Sequence, residues 1–274
     1  MSQTDSASFL MTVESLQQHL GDSQLFPVFV GSYEAFRAGH IEGSAHLPPA
    51  ALVCGQPPAA GRIADADNLA HVFSEIGLQP GDTVVAYDDE GGGWAGRLIW
   101  TLDVIGHRNY RLLDGGIIAW QAAGLPMVSD STPRPASDYS VSIDPQQLVS
   151  AESIMEQLAD ERFAIWDARS APEHRGEKAL AARAGRIPGA RNIDWLELMD
   201  PQNDLRLKPL PQIRALLEQR GLDPAKRIVT HCQSHHRSGL TYVVGKLLGL
   251  DIRAYDGSWS EWGNRDDTPV ESDA

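Results

Sequence analysis

Hydrophobic and polar positions follow two rhythms along this chain, and the rhythms recur in a fixed order. Short apolar or β-branched runs, "LFPVFV" at 25–30, "TVVAY" at 83–87, "RFAIWDA" at 162–168 and "RIVTH" at 227–231, are bounded by polar or Gly-rich segments and predict buried strands. Between such runs the apolar residues fall at helical spacing. Leu240, Val243, Val244, Leu247 and Leu248 stand at i, i+3, i+4, i+7 and i+8, the stripe of a helix packed on a sheet. Ile213, Leu216 and Leu217 give a second helix over 209–222 that stops at Gly221. Strands alternating with helices predict an α/β fold, a mostly parallel sheet with helices on both faces.

The pattern is written twice. "TVVAYDDEGGGWAGRLIWTLDVIGHRNYRLLDGGIIAW" at 83–120 lines up with "RIVTHCQSHHRSGLTYVVGKLLGLDIRAYDGSWSEW" at 227–262, and "GHIEGSAHL" at 39–47 with "GRIPGARNI" at 185–193. Each copy reads strand, polar loop, apolar helix, strand, Asp-Gly turn and Trp-bearing helix. Between the copies, 125–145 is rich in Ser, Pro and Asp and has no apolar periodicity, so it predicts a linker. The expected domains are 1–126, a linker over 127–141, and 142–274.

Length and composition fit two such domains: the chain has 274 residues, 42% of them hydrophobic and 22% charged. The net charge of −14 argues against nucleic acid or an anionic membrane surface as a partner of the whole molecule. No run of about 18 apolar residues and no basic, apolar leader occurs, so a cytoplasmic protein is expected. In that compartment Cys54 and Cys232 are not expected to form a structural disulfide. Cys54 lies in the Pro/Gly-rich "PPAALVCGQPPAAG" with no base or cation beside it, and reads as incidental.

Cys232 is different, because it follows the strand "RIVTH" directly and precedes a helix. The first turn of a helix presents unpaired N–H groups and the positive end of the peptide dipole. A thiol there, beside Arg237 and histidines able to carry charge, is set to ionise below its ordinary pKa of about 8.5. "RIVTHCQSHHRSGL" nearly spells the His-Cys-(five residues)-Arg-Ser signature of cysteine-dependent phosphatases, one residue short, so a phosphatase or arsenate reductase is an alternative. A metal cluster of His231, Cys232, His235 and His236 is another; adjacent strand residues point to opposite faces, which argues against it. No metal and no cofactor are expected. His235 and His236 read as rim charges at the pocket mouth.

"DARSAPEH" at 167–174, "GRIPGA" at 185–190, "CQSHHRSG" at 232–239 and "YDGSWSEW" at 255–262, set in the two-fold repeat, resemble tandem-domain rhodaneses. The resemblance covers nearly the whole chain, and the loop is similar to that of a bacterial subgroup with a histidine-rich, arginine-closed loop. It implies a C-terminal catalytic domain and an N-terminal domain of the same fold without the cysteine, where Asp88 stands opposite Cys232 and is structural or at an interface. It further implies a thiosulfate sulfurtransferase: Cys232 takes a sulfane sulfur as a persulfide, and the loop amides from Gln233 through Ser234, His235 and His236 to Arg237 hold its charge. The expected small partners are thiosulfate, sulfite and cyanide or thiols, and a protein sulfur acceptor is a further one. The loop lacks the Gly-Ser-Gly-Val-Thr form, which points away from mercaptopyruvate as donor. An additional substrate-binding arginine is expected after the first catalytic-domain strand, with Arg175 and Arg186 as its candidates.

Overall fold

The computed structural model describes residues 9–130 and 133–273; residues 1–8, read above as free of a leader, and 131–132 of the linker lie outside the described residues. The first half contains strands β1 (Leu10–Met11), β2 (Leu25–Val30), β3 (Ala45–Leu47), β4 (Thr83–Tyr87) and β5 (Tyr110–Leu113). Its helices are α1 (Val13–His19), α2 (Tyr33–Ala38), α3 (Ala66–Glu75), α4 (Gly93–Val104) and α5 (Gly116–Ala122). All neighbours in the sheet order β1-β5-β4-β2-β3 run parallel.

The second half repeats the plan with β6 (Phe163–Asp167), β7 (Arg191–Asn192), β8 (Met199–Asp200), β9 (Arg206–Leu207), β10 (Arg227–His231) and β11 (Ile252–Ala254). Its helices are α6 (Ala151–Met155), α7 (Ala171–Arg175), α8 (Leu210–Gln219), α9 (Arg237–Leu247) and α10 (Ser258–Trp262). The parallel order β11-β10-β6-β7 matches β5-β4-β2-β3 strand for strand. Parallel strands buried on both faces explain the continuous apolar runs of the sequence. The antiparallel pair β8–β9 has no counterpart among the described residues of the first half, and it reaches back across the molecule: the Leu207 amide donates to Asp114 Oδ1 at 2.8 Å.

One apolar cluster runs through both halves, from Phe26, Val84 and Leu98 to Trp166, Ile228 and Leu240, while a separate cluster covers the outer face of each sheet. The shared cluster is closed by α4 against α9. These helices approach backbone to backbone, because a Cβ on Gly96 would run into the Gly239 carbonyl and one on Gly239 into the backbone of Gly93 and Arg97. Beyond the glycines, the buried Asp103 of α4 accepts bonds from Tyr242 Oη (2.7 Å) and Lys246 Nζ of α9 and from Tyr110 Oη (2.8 Å).

Residues 133–144 form neither helix nor strand, as the composition predicts, yet they are fastened down. Ser137 and Tyr139 donate their amides to the carbonyl and hydroxyl of Ser74 (2.9 and 3.0 Å), and Arg134 bonds Asp82 at 2.8 Å while lying over the Phe26 ring. No helix among the described residues is long and apolar enough to cross a membrane.

Candidate active site

Strand β10 is an inner strand of its sheet, flanked in register by β6 and β11, and it delivers Cys232 at its carboxyl end. That is where α/β sheets place their crevices. The five residues from Cys232 to His236 then turn into α9, helped by His235 in the left-handed region at φ 54°. Ser258, also left-handed at φ 51°, lies beneath the turn. Its hydroxyl accepts the amides of Cys232 (3.3 Å) and His235 (3.1 Å) and donates to the Tyr255 carbonyl (2.8 Å). The His235 amide is therefore occupied by a serine rather than turned to the sulfur. The amides of Gln233, Ser234 and His236 make no such bond among the described residues.

The Cys232 side chain is buried, with 1% of its surface exposed. Burial alone raises a thiol's pKa, but the charge of Arg237, hydrogen bonds from the Ser238 hydroxyl and amide, and the charge of His236 outweigh it and lower the Cys232 pKa. Arg237 is held for this task by Glu173, in a two-armed ion pair at 2.7 and 2.8 Å. Glu173 in turn accepts the amide and hydroxyl of Ser170 at the start of α7. Burial disfavours the Glu173 carboxylate, yet these partners bring it down to about 2. The site thus pairs a stabilised thiolate with a cation fixed in direction.

The histidines differ from the expected pair of rim charges. His235 is fully buried, with its ring edge-on to Trp100 at 4.5 Å, and burial together with Arg97 and His236 pushes its pKa well below the usual value. It is a neutral packing group, with Nδ1 joined to Ser238 Oγ at 2.7 Å. While the single Ser238 hydroxyl proton points at the sulfur, His235 Nδ1 is the donor of that bond. His236 alone sits at the rim. It bonds Glu90, stacks on Trp94 with ring centres 4.5 Å apart, and meets Trp195 at 5.6 Å.

His231 points elsewhere, towards Asp167 at 3.9 Å, and burial brings its pKa down to about 4. Strand alternation thus separates it from Cys232, and no group of three or more His, Cys, Asp or Glu among the described residues could hold a metal ion.

Neither candidate arginine is directed to the sulfur. Arg175 pairs with Glu177 at the surface, and Arg186 with Asp273 and Glu271 of the C-terminal tail. The arginine that does follow β6 is Arg169, and it is buried and gripped by both oxygens of Asp167, under the Trp259 ring. Gln233 turns its side-chain amide outward to the Leu180 carbonyl at 2.9 Å. Ser234 is pressed against the first half, since a Cβ on Gly61 would strike its carbonyl.

The first half thus forms one wall of the site. Arg97 is buried and fixes the Gly61 and Leu52 carbonyls at 2.7 and 2.9 Å; Glu90, Trp94 and Trp100 supply contacts to the loop. At the end of β4, in the place Cys232 takes after β10, the carboxylate of Asp88 fills its own loop. It accepts the amides of Glu90, Gly91 and Gly92 on one oxygen (3.2, 3.1 and 2.8 Å) and that of Ala95 on the other (3.0 Å). The role expected for it, structural or at an interface, matches this arrangement.

Sequence reasoning passed over Glu90, Trp94, Ser238 and Ser258. The repeat alignment carried a signal for Ser258, which stands where the first copy has Gly116, also left-handed at φ 54°. Glu90 and Trp94 become visible only when the first half is laid on the loop.

The Rhodanese-like domain model matches twice, over residues 12–123 and 150–265. The chain is 45% identical to the thiosulfate sulfurtransferase of Azotobacter vinelandii over 97% of its own length and 99% of that protein's. It is 43% identical to the thiosulfate sulfurtransferase of Pseudomonas aeruginosa over 93% and 94%. It is 30% identical to the sulfur carrier protein TtuD of Thermus thermophilus over 95% of each. Among solved structures, the anaerobic ergothioneine biosynthesis enzyme of Chlorobium limicola superposes with a TM-score of 0.88 at 22% identity, over all of this chain and 72% of that one, a likeness of fold.

Proposed function

The chain belongs to the rhodanese family as a tandem of two such domains, and from that premise we propose that it is a thiosulfate sulfurtransferase working through a persulfide on Cys232. The observation that carries this reading is the buried thiol at the end of β10, lowered in pKa by Arg237, Ser238 and His236. The two relatives of highest identity cited above bear that activity in their names. In the first step the Cys232 thiolate attacks the outer sulfur of thiosulfate. A bond forms between the two sulfurs, the sulfur–sulfur bond of thiosulfate breaks, and sulfite leaves with the electron pair. In the second step cyanide, or another thiophile, attacks the terminal sulfur and returns Cys232 as thiolate.

Arg237 faces the incoming dianion in an otherwise acidic protein, and the amides of Gln233, Ser234 and His236 hold the charge of the persulfide. The same reading divides the chain into a domain over 1–126 that lacks the catalytic cysteine, a linker over 127–141 and a catalytic domain over 142–274. It places the protein in the cytoplasm, in keeping with the free thiols of Cys54 and Cys232. A protein acceptor for the persulfide is a second reading, favoured by the Thermus thermophilus relative named as a sulfur carrier.

Intact-mass measurement tests the first step. Incubation with thiosulfate adds one sulfur atom, cyanide removes it, and Cys232→Ser gains none. A wild-type mass that does not change with thiosulfate overturns the reading.

A further inference from the structure

His236 takes both its ion-pair partner and its closest stacking partner from the other half of the chain. Its Nε2 bonds the Glu90 carboxylate, and its ring lies flat on Trp94 with centres 4.5 Å apart and planes 21° apart. Both contacts favour the charged ring, the first as an ion pair and the second as a cation over an aromatic face. Both are provided by the stretch from the end of β4 into α4, where the first half has no thiol of its own.

We propose that Glu90 is a positioning residue for the Cys232 chemistry: it holds His236 as an imidazolium at the mouth of the site, so that the first domain supplies the counter-ion that keeps a second cation there beside Arg237. The inference rests on the sulfur-transfer reading for its purpose, but the arrangement itself is a matter of charge and geometry. Burial disfavours the charged His236 ring; the bond to Glu90, the charge of Glu90 and the charges of Cys232 and Asp88 outweigh it, and the pKa is raised. In return His236 acts on Cys232 and on its neighbour His235.

The groups facing His236 belong to several elements. Glu90 and Asp88 come from the loop after β4, and Asp88 is itself pushed up to about 6 by burial and by Glu90. Cys232, His235 and Arg237 come from its own loop. From the short helix Trp195–Leu198 only the Trp195 ring faces it, since Glu197 turns to Arg220 and Asp194 caps its own helix at the Leu196 amide. Arg97 of α4 acts on the neighbouring His235.

The consequence is a thiolate that sits beside a cation while His236 keeps its proton and loses that neighbour as pH rises. The selectivity of Cys232 for anionic over neutral reagents reads this directly, without any sulfur transfer. The test is the ratio of Cys232 alkylation rates with iodoacetate and iodoacetamide, followed against pH in the full chain. In the wild type the ratio falls several-fold as His236 loses its proton. In Glu90→Gln the midpoint of that fall moves down by roughly one pH unit, Glu90→Asp keeps most of the shift, and His236→Gln abolishes the fall.

Coincident midpoints in wild type and Glu90→Gln, or a fall that persists in His236→Gln, overturn the proposal; the latter outcome would assign the step to Asp88. Should Glu90→Gln not fold, the NMR titration of the His236 ring in the wild type decides. A midpoint above the ordinary value of about 6.5 supports the proposal and one at or below it overturns it. If thiosulfate leaves the wild-type mass unchanged while the alkylation ratio behaves as described, the sulfur-transfer reading fails and the Glu90–His236 coupling stands.

Discussion

Asp88 stands where Cys232 stands: each follows the last residue of an inner strand of its half, and each is ringed by the turn that leads into the helix of the shared interface. The carboxylate of the first takes four backbone amides. The first half thus shows, with a fixed oxygen anion, that this turn is built to surround negative charge.

Asp88→Asn is the variant that measures that preference. One oxygen still accepts, but the new amide group opposes the N–H of Ala95, donor against donor, in a fully buried position. A loss of about 1–3 kcal/mol is expected, read as a lower denaturant midpoint with an unchanged slope. An unaltered midpoint would mean that the four amides are indifferent to the charge.

Ser238→Ala removes a hydroxyl that donates to the Cys232 sulfur. The Cys232 pKa is expected to rise by roughly one unit, seen as an upward move in the pH midpoint of its alkylation by a neutral reagent. Persulfide formation then slows about tenfold at pH values below the midpoint and recovers above it. A midpoint that does not move would place the hydroxyl elsewhere.

Glu173→Gln leaves Arg237 charged but unaimed. Persulfide formation from thiosulfate is expected to fall at least about tenfold, equivalent to about 1.4 kcal/mol of transition-state stabilisation. The same variant has an acid signature. In the folded protein the Glu173 carboxyl lies at about 2, below its ordinary 4.5, so its contribution to stability is full above pH 4.5 and is lost as pH falls through about 2. Glu173→Gln should therefore lose less stability than the wild type between pH 5 and 2, as followed by thermal unfolding.

Gly239→Val tests the contact between the halves. The added side chain meets the backbone of Gly93, Gly96 and Arg97, which has no room to yield without moving α4. A cost of about 1–3 kcal/mol is expected, together with loss of the pH step in the alkylation ratio, because His236 is drawn away from Glu90. A variant of wild-type stability would show that the helices part easily.

Much of this was legible in the chain itself. The runs at 25–30, 83–87 and 227–231 became central or near-central strands because a parallel sheet covered on both faces needs continuous apolar residues, and the doubled pattern gave the doubled sheet. The place of Cys232 between a strand and an amphipathic helix was legible as well. What the sequence concealed is what only the meeting of the two halves creates. His235 looked like a rim charge until Trp100, more than a hundred residues earlier, closed over it. Arg175 and Arg186 looked available because their acidic partners, at 177 and in the tail at 271 and 273, offered no pattern of their own. The β8–β9 pair, two residues a side, is too short to show a period.

The bare backbone contact of Gly96 with Gly239 also bears on what counts as the smallest working piece of this molecule. The sequence doubles a unit of about half its length, and each unit owns a sheet. Severed at the linker, however, the second unit would keep its sulfur and lose the ceiling over His235, the counter-ion of His236 and the floor under its own helix. The repeat is the unit of ancestry, while the unit of chemistry is the joined pair.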